Sequence, residues 1–150
     1  MGEGTAGRVA LMAIHPTYAH AILEGIKKVE FRKRRVAEDV TTVLIYETAP
    51  TQRIVGRFTI EQTVVRRPNQ LWRQFGPVGA IGHGAFQSYF AGRDRAVALQ
   101  VAQPERFPVG VALADLEPQP AIPQSFAYLD AAVLDQIQAH QPDSAVLAAS

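Results

Sequence analysis

Between Gly25 and Arg35 the chain reads Gly-Ile-Lys-Lys-Val-Glu-Phe-Arg-Lys-Arg-Arg, with seven charged residues of eleven, six of them basic. From Lys28 to Arg34 apolar and charged residues alternate, so Val29 and Phe31 face one side of a strand and Lys28, Glu30, Arg32 and Arg34 the other. On such a strand Glu30 and Arg32 share a face, and Lys27, at the junction before it, can lean over that face. A carboxylate acceptor flanked by ammonium and guanidinium donors can bind a phosphate or the edge of a base. The same pattern also suits a solvated strand edge dressed with charges against aggregation.

Other residues could extend this chemistry. Arg53, Arg57, Arg66, Arg67 and Arg73 enlarge the positive surface, and Trp72 and Phe75 lie among the last of them. Basic groups interleaved with aromatics suit single-stranded nucleic acid. Core anchors with arginines on the wet side of a helix would give the same sequence. The glycine-dense stretch from Gly76 to Gly84 matches neither the dinucleotide nor the P-loop spacing, and reads as a plain connection or as a mobile flap. Histidines 15, 20, 83 and 140 lack zinc spacing, and no metal site is expected. His15, just before a helix, either caps it or points into the cleft. Serines 88, 125, 144 and 150 have no nucleophile-elbow context.

The elements that position these residues fit one domain of 150 residues. Hydrophobic residues make up 47% and charged residues 19%, which argues against disorder. No apolar run reaches the roughly 18 residues of a membrane span. The Met-Gly-Glu-Gly start lacks the pattern of a secretory signal, so a soluble, cytoplasmic protein with no membrane partner is expected. The absence of cysteine excludes thiol nucleophiles, disulfides and cysteine-ligated zinc. Residues 1–100 hold 14 Lys/Arg against 8 Asp/Glu, and residues 101–150 hold one against six. The formal charge of +1 therefore conceals a positive field in the first hundred residues, where a polyanion could dock.

Strands are expected over 8–14, 28–34, 42–48, 53–65 and 96–102, with Gly56 a candidate bulge or bend. Short helices are expected over 16–25, around Leu71 to Phe75, and from Ala85 to Phe90. Prolines 104, 108, 118, 120 and 123 argue against regular structure beyond Pro104. Residues 125–129 suggest an aromatic clip, 130–140 an amphipathic helix with Leu134 and Ile137 inward, and the last ten residues a frayed tail. The pattern indicates an α+β fold, a mixed β-barrel over 8–103 flanked by short helices, within a domain spanning 8–130 and followed by a helix and tail over 131–150.

Gly25-x-Lys27-x-x-Glu30-x-Arg32 resembles the GxKxxExR signature of ASCH domains, of the PUA-like superfamily. The stretches Ala13–Glu24, Leu44–Pro50 with Ile54–Gly56, and Tyr89–Gly92 followed by Ala96–Val101 are similar to the segments that flank it, as is Pro123–Phe126 near the end. The resemblance covers roughly residues 9–130. It implies a barrel with a cleft beside the signature that holds RNA or a nucleotide. Lys27 and Arg32 would contact phosphate or a base carbonyl, Glu30 would accept from a base or ribose, and Tyr18 and Tyr46 would stack. Lys28, Lys33, Arg34 and Arg35, with Arg53 and Arg57, would attract the backbone. The alternative is a ribonuclease using Lys27, Glu30 and Arg32, with Glu30 as base. An acetylcytidine amidohydrolase also occurs among relatives. Its lysine matches Lys27, but its threonine nucleophile falls at Glu30, and its glutamate has no counterpart because residues 62–93 contain no acid. No cofactor is implied. A regulatory module that docks a protein through the acidic, proline-rich tail is the remaining class.

Overall fold

Residues 7–142 are described by the computed structural model. The apolar run Arg8–Ile14 forms β1, buried from Val9 to Met12. His15 caps the helix that follows, α1 (Pro16–Leu23), its Nδ1 accepting from the Thr17 amide, with Pro16 at the first helical position. Gly25, at φ +79°, ends α1 in the left-handed region, and the chain turns directly into β2 (Val29–Arg32). After β3 (Thr42–Glu47) come β4 (Arg53–Arg66), α2 (Pro68–Phe75), α3 (His83–Tyr89), β5 (Ala96–Val111), β6 (Phe126–Asp130) and α4 (Val133–Ala139).

The six strands make one mixed sheet in the order β2-β5-β4-β3-β1-β6, in which only β1 and β3 run parallel. A parallel neighbour needs a crossover, here α1 and β2. The fold is α+β and barrel-like, but the sheet does not close: β2 and β6 are its two free edges. Strand alternation sends Met12, Val43, Ile45, Phe58 and Leu99 into one core with Ile22 of α1. The opposite faces of β1 and β3 pack Leu11, Leu44 and Tyr46 against Val133 and Ile137 of α4. A third core joins Val29 and Phe31 to Leu71 and Phe75 of α2 and to Phe86 and Phe90 of α3.

Two sequence expectations need correction. Regular structure continues past Pro104, since β5 runs to Val111 through Pro104 and Pro108. Its register against β4 breaks on both sides of this stretch, with Arg57 facing Glu105, Gly56 facing Arg106 and Ile54 facing Val111. Proline is tolerated at such bulges because no ladder amide is required there. The aromatic clip is a sixth strand, β6, antiparallel to β1. Gly56 does mark the irregularity expected of it. A Cβ there would lie 2.5 Å from the Glu105 carbonyl oxygen and 2.6 Å from Leu23 Cδ2, so the two strands and α1 meet where only glycine fits. Ile137 is buried as expected, while Leu134 is partly buried against the same core. The Met-Gly-Glu-Gly start and the tail from residue 143 onward lie outside the described residues. No helix among the described residues is long and apolar enough to cross a membrane.

Candidate functional site

The signature segment occupies the seam between the free edges of the sheet. After α1 stops at Gly25, the amides of Ile26 and Lys27 both donate to the Ala21 carbonyl, and the Lys28 amide donates to Val78 in the glycine-dense loop. This pins Lys27 under the loop, where its ammonium donates to the Gly79 carbonyl. The ammonium also lies 5.0 Å from the Tyr18 ring centre and 5.4 Å from that of Phe31. Gly79 sits so close to Phe31 that a Cβ would come within 2.7 Å of its ring. The loop is therefore a packed wall of the site rather than a plain connection.

Glu30 and Arg32 share the face opposite Val29 and Phe31, as alternation requires. Glu30 Oε2 accepts from Arg32 Nη1 at 3.1 Å, and Oε1 lies 3.9 Å from Lys27 Nζ. Arg32 then crosses the seam, donating through Nη1 to the Ala13 carbonyl of β1 and through Nη2 to Ser125 Oγ, just before β6. The guanidinium thus ties the two unpaired edges together. Its Nε is buried with no hydrogen-bond partner among the described residues. Lys27, Glu30 and Arg32 are only 2%, 5% and 8% exposed, which excludes a solvated strand edge.

Burial of several charges at once is costly unless they are paired. Desolvation pushes the Lys27 ammonium below the ordinary lysine value, and the nearby Glu30 carboxylate offsets only part of that shift. At 3.9 Å Glu30 is too far to accept a hydrogen bond. Gly79 is thus the one acceptor that Lys27 has among the described residues, and two of its three protons are uncommitted. Burial also pushes the Tyr89 phenol up, against the opposing influence of Arg32.

Above the trio is a cavity of about 200 Å³, walled by His15, Tyr18, Ile81 and Tyr89. At the roughly 30 Å³ each water occupies in the liquid, it has room for a ring-sized group. A second hollow of about 460 Å³ shares Ala13, Arg32 and Tyr89 with it, and adds Lys33, Arg34, Arg93, Gln124 and Ser125. No acid among the described residues lines this mouth. Lys33 sits over the Tyr89 ring and Arg34 over that of Phe126, which holds both cations at the rim.

Of the residues singled out from sequence, Lys27, Glu30, Arg32 and Tyr18 meet at the cavity and Arg34 stands at its mouth. Lys28 is exposed beside it and lines neither hollow. Arg35 pairs with Glu38 and borders a different depression with Glu61. Tyr46 is corrected from stacking group to core residue: alternation along β3 turns it away from the seam and into the core under α4. Arg53 and Arg57 lie on β4, where Arg53 donates to the Gln52 carbonyl and Arg57 faces Glu105 of β5, and neither lines either hollow. His15 both caps α1 and walls the cavity. Ser125 and Tyr89 escaped notice as site residues. Ser125 lies 93 residues from Arg32, and no local pattern could have marked it.

A family model of the ASCH domain matches residues 12–105. The large ribosomal subunit protein uL22 of Ureaplasma parvum is 29% identical over 90 residues, 59% of this chain and 29% of that protein. An ASCH domain-containing ribonuclease of Zymomonas mobilis is 31% identical over 90 residues, 59% of this chain and 61% of its own length. The chain thus spans less than two thirds of either relative. Among solved structures, that of ASCH from Zymomonas mobilis superposes with a TM-score of 0.82 at 24% identity, covering 90% of this chain and 96% of the other. The N-terminal domain of Staphylothermus marinus McrB gives 0.57 at 11% identity, over 88% and 93%.

Proposed function

Because this chain belongs to the ASCH domain family, we propose that it binds RNA, or a nucleotide, in the seam cleft. The observation that carries this reading is the buried Lys27–Glu30–Arg32 trio opening into a ring-sized cavity whose mouth has Arg32, Lys33, Arg34 and Arg93 and, among the described residues, no acid. A base enters between Tyr18 and Tyr89. The free protons of Lys27 meet its carbonyl or a phosphate oxygen, and Glu30 Oε1, which has no hydrogen-bonded partner among the described residues, accepts from a base or ribose donor. Arg32 holds Glu30 in place and offers Nε. Lys33, Arg34 and Arg93 attract the backbone at the rim, with Lys28 as an outlying contributor. Arg35 adds less, because Glu38 offsets its charge. The test is fluorescence anisotropy of a labelled RNA octamer at rising salt. Affinity should fall steeply with salt, as counterion release demands. Negligible binding throughout would leave only a protein-docking module.

Ribonuclease activity is the second reading, favoured by the ribonuclease among the relatives and by the lowered lysine. In it the 2′-oxygen attacks the adjacent phosphorus and gives its proton to Glu30, the 5′-oxygen leaves with a proton from Lys27, and Arg32 stabilises the charge on phosphorus. Glu30 is already engaged by Arg32, which occupies one of its two oxygens, and binding therefore ranks first. Loss of cleavage by Glu30→Gln with affinity retained would establish the enzyme. Equal loss of both would indicate binding alone.

A further inference from the structure

Outside the signature cleft, a hollow of about 580 Å³ opens between α2 and α3. Trp72 and His83 lie in it as a stacked pair, with ring centres 4.4 Å apart and planes 13° from parallel. Trp72 is only partly buried and His83 is exposed, so the stack is not sealed into the core. Beneath it, Phe86 packs 5.0 Å from Trp72 and 4.9 Å from Phe31, next to Glu30 in β2. The platform is thereby fixed rigidly to the site strand.

Arg67, Arg73 and Arg93 surround this platform, with Asp94 as the one acid in the lining among the described residues. None of the three arginines has an ion-pair partner among the described residues. Arg93 also lines the mouth of the signature cleft, and its Nη2 donates to the Lys33 carbonyl there. One guanidinium thus belongs to both hollows, with Arg32 and Arg34 beside it in the cleft mouth and Arg67 and Arg73 beside it in the α2–α3 hollow.

We infer that the α2–α3 hollow is a second subsite, which takes a neighbouring nucleotide of the same single-stranded RNA whose base occupies the signature cleft. The base stacks on the Trp72–His83 platform and its phosphates lie against Arg67, Arg73 and Arg93. Aromatic stacking beside unpaired guanidinium groups is the chemistry that holds single strands without reading their sequence. This assignment rests on the RNA-binding reading above and narrows the ligand from a free nucleotide to a strand that spans both hollows.

Trp72 is the only tryptophan in the chain, so its emission reports this subsite directly. The full chain is titrated with a fluorescein-labelled oligouridylate octamer, with anisotropy and tryptophan emission followed in parallel. Trp72→Leu keeps an apolar group against Phe86, Arg67→Ala/Arg73→Ala removes surface charge alone, and circular dichroism checks that each folds. Saturating octamer should quench Trp72 in the native chain. Trp72→Leu should bind it about 5- to 150-fold more weakly, the range expected for one stacked base. The double arginine variant should flatten the logarithmic salt dependence by about 1.4, at roughly 0.7 per phosphate contact on a single strand. Unchanged emission at saturation, or octamer affinity in both variants equal to the native value, overturns the subsite. If Lys27→Met weakens binding while these variants do not, the cleft reading stands and the second subsite fails. Should the native chain bind no octamer at all, both fall together.

Discussion

Replacing Lys27 by methionine separates the two physical demands placed on that side chain. Methionine has a similar length and fills the slot between Tyr18 and Phe31 with apolar atoms, so little packing is lost. The change removes a desolvated ammonium, which favours the fold, and strips the Gly79 carbonyl of its donor, at a cost of about 1–3 kcal/mol. Glu30 keeps Arg32, so no carboxylate is orphaned. The two effects oppose, and the net change at pH 7 should be within about 1–2 kcal/mol, on those same magnitudes. The pH dependence is the sharper reading. Because burial lowers the Lys27 pKa in the folded chain, the unfolded chain binds the extra proton between that lowered value and the free-lysine value of about 10.4. Native stability should accordingly gain on the variant as pH rises from 7 towards 10, by about 1.4 kcal/mol for each unit by which the pKa is depressed. Urea unfolding of both proteins at several pH values measures this gain. A difference that stays flat with pH would refute the claim that Lys27 is buried as a strained cation. RNA affinity supplies an independent arm. Losing a charged hydrogen bond worth about 1.5–3 kcal/mol predicts a 10- to 150-fold weaker octamer complex, and an unchanged complex would remove Lys27 from the site.

Three further outcomes follow from placement. Gly56→Ala should destabilise the fold by about 1–3 kcal/mol, since its Cβ would press on the Glu105 carbonyl and on Leu23; chemical denaturation reads the loss. Tyr46→Phe should leave octamer affinity within about twofold, because Tyr46 belongs to the core under α4; a larger fall in anisotropy titrations would return it to the cleft. Arg34→Ala should weaken octamers of differing sequence alike and shrink the logarithmic salt slope by about 0.7, whereas a sequence-selective loss would make Arg34 a base reader.

Local chemistry made much of this protein legible before any fold was known. Alternation between Val29 and Arg32 told which side chains share a face, Gly25 told where α1 must stop, and Gly56 told where β4 must be irregular, because backbone period and glycine's allowed angles are properties of a few consecutive residues. Contacts between distant segments are not written that way. Whether Glu30 and Arg32 faced water or a closed seam depended on β6 pairing with β1, which brings Ser125 to a residue 93 positions earlier. The same holds for Tyr46, whose face alternation could define without saying that α4 would cover it. It holds also for Pro104 and Pro108, which a strand admits only once its partner's register has left a bulge for them. The sequence specified the three charged groups and their order. The burial that lowers the pKa of Lys27, and the cavity above it, came from the packing of β1, β6 and the glycine loop around them.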